Sequence, residues 1–330
     1  MSHFPLNPKL FNADVELEPI RSGFGRGLVE AGKQDKNIVA LCADLTDSTK
    51  MGLFKEQFPK RFIEIGVAEQ NLVTVASGLA AMGKIPFTSS YAAFSPGRNW
   101  EQIRTTIALN NQPVKIVGSH AGVSVGPDGA THQMLEDIAL MRVLPRMVVV
   151  APGDSVEAEK ATLALAKNNQ PSYIRLAREK TPIFSTANSP FELGKAYVLR
   201  EGFEMSLLGT GTMTYQLLVA ARILAGLGLE AEVVHVPTIK PLDESTILAS
   251  VRKTGRVLTA EEAQVNGGFG AAIAELLSEK LPTPLKRVGM LDHFGESGAP
   301  NELLDKFGLT GQKIAQQAQE FIHQTPRYHQ

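Results

Sequence analysis

The sequence predicts an α/β protein built from two successive open, mostly parallel sheets, each covered by helices. Short apolar runs alternate with longer segments of helical period along most of its 330 residues. That alternation breaks once, at 180-KTPIFSTANSPFELG-194, where two prolines and several small polar residues carry no periodicity. The length itself suits roughly two domains of about 150 residues each. The expected division is a first domain over 1–180, a linker over 181–194 and a smaller α/β domain over 195–330.

In the first domain, strands are expected at 37–42, 62–66, 86–91, 114–119, 147–151 and 172–176. Helices are expected between them at 69–82, 99–110, 133–143 and 154–167. The last opens with Pro152-Gly153-Asp154-Ser155, where a side-chain oxygen can cap the first free amides. Beyond the linker, strands are expected near 205–209, 231–236, 256–260 and 287–290, with helices near 213–227, 244–251, 269–279 and 311–324. No repeat and no low-complexity tract interrupts the series.

Composition narrows the function. With 43% apolar and 20% charged residues the chain reads as ordinary globular protein. Its apolar runs, such as 147-MVVVA-151, fall far short of the ~20 residues that cross a bilayer. A net charge of −1 gives no electrostatic reason to expect nucleic acid or an acidic membrane as partner. The single Cys42 excludes an internal disulfide and a cysteine-based zinc site. The opening MSHFPLNPKLFNADVELEP lacks a basic stretch followed by an apolar core, so no signal peptide is expected and the cytoplasm is the expected compartment.

Two glycine motifs fail as phosphate loops. The segment 27-GLVEAGKQ-34 has Gln34 where a P-loop needs Ser or Thr, and it precedes the first core strand, so a glycine pair within a helix is the better reading. Gly209-Thr210-Gly211 lacks the third glycine of a dinucleotide fingerprint and reads as a tight strand-to-helix turn.

The chemistry collects in residues 61–137. Glu69, in 66-GVAEQN-71, falls at a strand end and a helix start, the edge where open α/β sheets bind ligands. A favourable interaction with the helix dipole is its plainer explanation. Tyr91 and Phe94 come where a strand gives way to a loop, and taken alone such aromatics are more often core than a cofactor platform. The glycine-rich 120-HAGVSVGPDGATHQ-133 carries two histidines and Asp128. Metal binding is a rival there, although His-x11-His without an acidic partner at helical spacing is not a usual ligand pattern.

Together, 66-GVAEQN-71, 88-TSSYAAF-94 and 120-HAGVSVGPDGATHQ-133 resemble, in order and spacing, the pyrimidine-binding domain of transketolases. The later 236-VPTIKPLD-243, 261-EEAQVNGGFGAAIAE-275 and 291-LDHFGESGAPNELLDKFGLT-310 resemble that family's carboxyl-terminal domain. The resemblance implies a thiamine-diphosphate enzyme that moves a two-carbon ketol unit from a ketose phosphate to an aldose phosphate. It makes Glu69 the buried carboxylate that shares a proton with the aminopyrimidine. Tyr91 and Phe94 become its stacking partners, with Arg98 covering the ring or meeting a carboxylate where many relatives place a third aromatic at the position of Gly97. Asp128 and His132 would bind the hydroxyls near the reacting carbonyl, and Arg21, Ser48, His120 and Arg178 the substrate phosphate. A second departure is Ala263, where relatives often carry a His.

His120 argues against deoxyxylulose-phosphate synthases, which usually have an acidic residue there. Beta subunits of oxo-acid dehydrogenases lack the pair of histidine motifs. A non-catalytic transketolase-like assembly module and a split enzyme acting on another keto sugar phosphate are the remaining alternatives. The family holds the cofactor diphosphate and its divalent metal, Mg2+ or another, with a Gly-Asp-Gly segment. None occurs here; the nearest strings are Pro127-Asp128-Gly129 and Gly153-Asp154-Ser155. The resemblance thus implies a partner, an amino-terminal diphosphate-binding subunit, in a two-plus-two assembly, with a homodimer of this chain persisting alone.

Overall fold

The computed structural model describes residues 4–327; the terminal residues of the two expected domains, 1–3 and 328–330, lie outside the described residues. The first half runs β1 (Leu17–Pro19), α1 (Ile20–Gln34), β2 (Ile38–Cys42), α2 (Gly52–Gln57), β3 (Phe62–Glu64), α3 (Glu69–Ala81), β4 (Ile85–Tyr91), α4 (Trp100–Gln102), β5 (Lys115–Ser119), α5 (Asp137–Arg142), β6 (Val148–Val150), α6 (Ser155–Ala166), β7 (Ser172–Arg175) and β8 (Lys180–Pro182). The second runs β9 (Tyr197–Arg200), β10 (Ser206–Gly209), α7 (Met213–Gly226), β11 (Glu232–His235), β12 (Thr238–Lys240), α8 (Glu244–Thr254), β13 (Val257–Gln264), α9 (Phe269–Lys280), β14 (Leu285–Met290), α10 (Pro300–Lys306) and α11 (Gly311–Gln324).

Two open sheets result, as the alternation predicts. The larger has strand order β12-β6-β7-β5-β4-β2-β3 and the smaller β14-β13-β10-β11-β9. Every pairing in them is parallel except β12 on β6 and β9 on β11. Parallel strands are covered on both faces, which is why β2, β5 and β10 are buried along their whole length. One apolar cluster, with Leu72, Ile116 and Val149 from the first half and Leu208, Val234 and Phe269 from the second, runs through both halves.

The P-loop-like segment lies inside α1, as expected of a helix glycine pair. Glycine is required on that helix because α6 crosses it closely: a Cβ at Gly23 would meet the Ser155 carbonyl oxygen at 1.7 Å, and one at Gly27 the Glu159 oxygen at 2.8 Å. Asp154 caps α6, accepting from the Glu157 amide at 2.9 Å.

Four local expectations differ. The stretch after residue 180 begins with a strand, β8, paired antiparallel with β1. Residues 184 and 185 are then pinned by their amides to Asp154 Oδ2, at 3.0 and 2.7 Å. Strand β12 leaves the second half to pair with β6 of the first sheet. The expected helix over 99–110 is α-helical only at α4 and continues as a π-helix, Ile103–Ala108, where the hydroxyls of Thr105 and Thr106 bond the carbonyls four residues back. The expected helix over 133–143 begins only at Asp137, because the Gln133 side chain ties its own segment to the carbonyls of Val123, Gly126 and Glu296.

Candidate active site

The site forms where β3, β4 and β5 end, at the carboxyl edge of the larger sheet. After β3 the chain turns at Gly66, with φ +77°, and enters α3 on Glu69. The Glu69 side chain is 5% exposed, and its backbone carbonyl accepts from the buried Asn99 amide at 2.7 Å. Strand β4 delivers Tyr91, and the next turn brings Phe94 into a stack with it, centroids 5.9 Å apart. Arg98 lies 4.3 Å over the Phe94 ring and reaches the Glu69 carboxylate at 3.1 and 3.3 Å. Where a third ring was in question, a guanidinium both covers an aromatic face and meets a carboxylate.

His120 follows directly on β5, and its φ of +58° turns the chain out of the sheet. Its ring stacks on Tyr91 at 3.8 Å, and His132 meets Phe94 edge-on at 5.3 Å. His120 Nε2 lies 2.9 Å from Arg21 Nη1, and Nδ1 lies 2.9 Å from Ser119 Oγ. A guanidinium has only hydrogens to offer, so Nε2 accepts and Nδ1 carries the proton donated to Ser119. Burial, then the positive charges of Arg21 and Arg178, hold the His120 pKa down to about 3. Burial likewise lowers that of Arg21, with Arg178 adding to it. Arg178 donates to the Val125 carbonyl at 2.7 Å, so it braces the loop it faces.

Glu69, Tyr91, Phe94, Arg98, His120, His132 and Arg21 thus form one linked cluster, with Arg178 at its basic side. Asp128 is exposed at the end of the turn Val123–Asp128, outside those contacts. Ser48 lines a separate hollow with Asp44, Asp47, Lys55 and Glu64. Sequence reasoning missed Asn99, and it missed the buried Asp137, which accepts from Tyr173 Oη at 2.6 Å and Arg175 Nε at 2.9 Å. It also missed Glu262 of β13, which reaches into the loop after His120. Its one signal was the acidic pair 261-EE in an otherwise apolar strand.

A buried carboxylate beside stacked ring faces suits an aromatic heterocycle with a basic ring nitrogen. Val67, two residues before Glu69, is 71% exposed. Among the described residues no three His, Cys, Asp or Glu side chains are grouped to hold a metal ion.

Residues 19–183 match the family model for the transketolase pyrimidine-binding domain, and residues 194–314 the model for the transketolase C-terminal domain. The chain belongs to the transketolase family. It is 44% identical to a 6-deoxy-6-sulfo-D-fructose transketolase subunit of Clostridium sp. strain MSTE9, over 94% of this chain and 96% of that one. It is 35% identical to an apulose-4-phosphate transketolase subunit of Phocaeicola vulgatus, over 92% and 97%. A solved split-gene transketolase, described as an inactive β4 tetramer, superposes with a TM-score of 0.87 at 43% identity, covering 92% of this chain and 98% of its own. Family membership implies thiamine diphosphate as the cofactor.

Proposed function

We propose that this chain is the carboxyl-terminal subunit of a split transketolase, its pyrimidine-binding half ending near residue 180 and its carboxyl-terminal half starting near residue 195. With a diphosphate-binding partner it transfers a two-carbon ketol unit from a ketose phosphate to an aldose phosphate. The observation that carries this is Glu69: a nearly buried carboxylate at a helix start, beside stacked Tyr91 and Phe94 and next to the basic His120–Arg21 pair.

Thiamine diphosphate, when bound, supplies a carbanion-stabilising electron sink. Glu69 holds and shares a proton at the aminopyrimidine nitrogen, and Tyr91 and Phe94 hold the ring by its face. Arg98, paired to Glu69 in the free chain, leaves or shares that carboxylate when the ring arrives. Neutral His120, its Nε2 oriented by Arg21, and His132 bind substrate hydroxyls, with Asp128 reaching the donor sugar from the loop. Arg21, Arg178 and His120 line the path for an anionic substrate end; Ser48 joins them only if its segment moves against the loop. The named substrates of the two relatives differ at that end, a sulfonate in one and a phosphate in the other, and a guanidinium pair recognises either.

The cofactor diphosphate and its divalent ion, Mg2+ in the simplest case, belong in this reading to the partner subunit, since no Gly-Asp-Gly occurs in the sequence. The test is an assay of the chain with thiamine diphosphate, magnesium and a panel of ketose and aldose phosphates, with and without its partner. Ketol transfer only in the mixture is expected. Robust turnover by this chain alone, or none from a mixture that binds cofactor, would overturn the reading.

A further inference from the structure

We propose that Glu262, on β13 of the second half, is the positioning residue that holds loop 120–133 in the shape its histidines need. The clamp is read from contacts alone; only the loop's task rests on the ketol-transfer reading.

Glu262 is 2% exposed and bonds at both carboxylate oxygens. Oε1 accepts from the Ser124 backbone amide at 2.6 Å, and Oε2 from Thr212 Oγ1 at 2.9 Å. Its own carbonyl accepts from Arg175 Nη2 at 2.7 Å, and Arg175 is fixed in turn by Asp137. The loop passes so close that a Cβ at Gly122, where φ is +92°, would lie 2.3 Å from Glu262 Oε1. At its far end the loop docks on the same half: Gln133 Nε2 donates to the Glu296 carbonyl at 2.8 Å, and the Gln264 amide to that of Leu135 at 2.9 Å.

Between those ends the loop is tied to the first half by Gln133 Nε2, which also donates to the Val123 and Gly126 carbonyls, and by Arg178, which donates to that of Val125. Asp128 is exposed, and the His132 ring has the adjacent Thr131 hydroxyl as its side-chain partner at 2.9 Å. A charge-assisted bond from a buried carboxylate to a backbone amide is among the stronger local restraints. Its removal strands the Ser124 amide without an acceptor. Glu262 is therefore the point near the loop's start at which the packing of one half sets loop geometry in the other, as the Glu296 and Gln264 bonds do at its far end.

Glu262→Ala and Glu262→Gln would be compared with wild type in the assembled enzyme, alongside amide hydrogen exchange of peptides from loop 120–133 in the isolated chain. Glu262→Ala is expected to speed exchange across the loop and to lower kcat at least about 10-fold, the scale of small misplacements in a site. Affinity for thiamine diphosphate should stay within about twofold, because Glu69 and the aromatic pair are untouched. Glu262→Gln keeps an oxygen for the Ser124 amide and should restore most of both properties. Gly122→Ala, which displaces the carboxylate from the loop side, should reproduce the Glu262→Ala pattern. If Glu262→Ala does not fold, Thr212→Val, which frees one carboxylate oxygen, must show the same loop-specific exchange in milder form. Unchanged loop exchange, unchanged kcat, or no recovery with Gln would each overturn the proposal. A wild-type complex without turnover would instead count against the ketol-transfer reading and leave the exchange experiment to decide the clamp.

Discussion

Glu69 shows how far single residues can be read. Its place at a strand end and helix start is written in six consecutive residues, and so is the aromatic pair that follows the next strand. Asn99, which anchors the Glu69 carbonyl from 30 residues away, has no local signature, and Glu262, which bonds Ser124 across 138, has only the acidic pair 261-EE. If Glu69 is the proton partner of the cofactor, Glu69→Gln should keep the fold and lower turnover of the assembled enzyme by at least about 10²-fold. Near wild-type turnover at saturating cofactor would contradict that role. Arg178 invites a different measurement. It sits beside Arg21 and His120 and lies outside the Glu69 contacts, so Arg178→Ala should raise KM for anionic acceptors far more than for uncharged ones, the part common to both coming from the lost Val125 bond. Remote contacts of this kind supply binding energy only to substrates carrying the matching group. An equal loss for both acceptor types would remove it from the anion path.

Elements were legible wherever burial imposes a period. The core strands and the helices α3, α6, α7, α9 and α11 follow from apolar runs and caps, and the structure places them where the pattern does. The short pairings β1–β8 and β6–β12 were not legible, since three-residue strands with polar ends carry no period and their partners are remote. The start of α9 hid another feature. Glu261 accepts from the Phe269 and Gly270 amides at 2.6 and 2.7 Å, an arrangement that by itself favours the carboxylate. Burial outweighs it and pushes the Glu261 carboxyl up to about 7. Between its ordinary value near 4.5 and about 7, the folded chain therefore binds more protons here than the unfolded one. This group's stability contribution is complete below that window and falls as pH rises through it. Denaturant titrations from pH 5 to 8 should show wild type losing on the order of 2 kcal/mol relative to Glu261→Gln. Parallel curves for the two proteins would show that Glu261 does not titrate in that range.

At the scale of the whole molecule, the two halves are joined by more than packing. β12 crosses to the first sheet, and the apolar cluster is shared. At their seam lies a buried polar chain: His235, at the end of β11, has Nε2 2.7 Å from Glu157 Oε2 of α6 and Nδ1 2.6 Å from Thr214 Oγ1. The Glu157 oxygen also accepts from the Gly153 amide at 2.6 Å, and Phe184 closes the His235 ring edge-on at 5.4 Å. His235 is wholly buried and Glu157 is 2% exposed, so neither can turn to water if the other is removed. Leaving one member of such a buried hydrogen-bonded pair without its partner costs about 1–3 kcal/mol or more, whereas replacing both by apolar groups of similar shape is often close to neutral. His235→Leu and Glu157→Leu should each lower stability markedly, and the double variant should lose less than the sum of the two, a coupling measured by a double-mutant cycle in denaturant. Because the pair spans the halves, the single variants should also separate a one-step unfolding curve into two steps, the first reporting the second half. Additive losses with a single cooperative transition would mean that the shared apolar cluster and β12 hold the seam, and that this hydrogen-bonded pair contributes little to it.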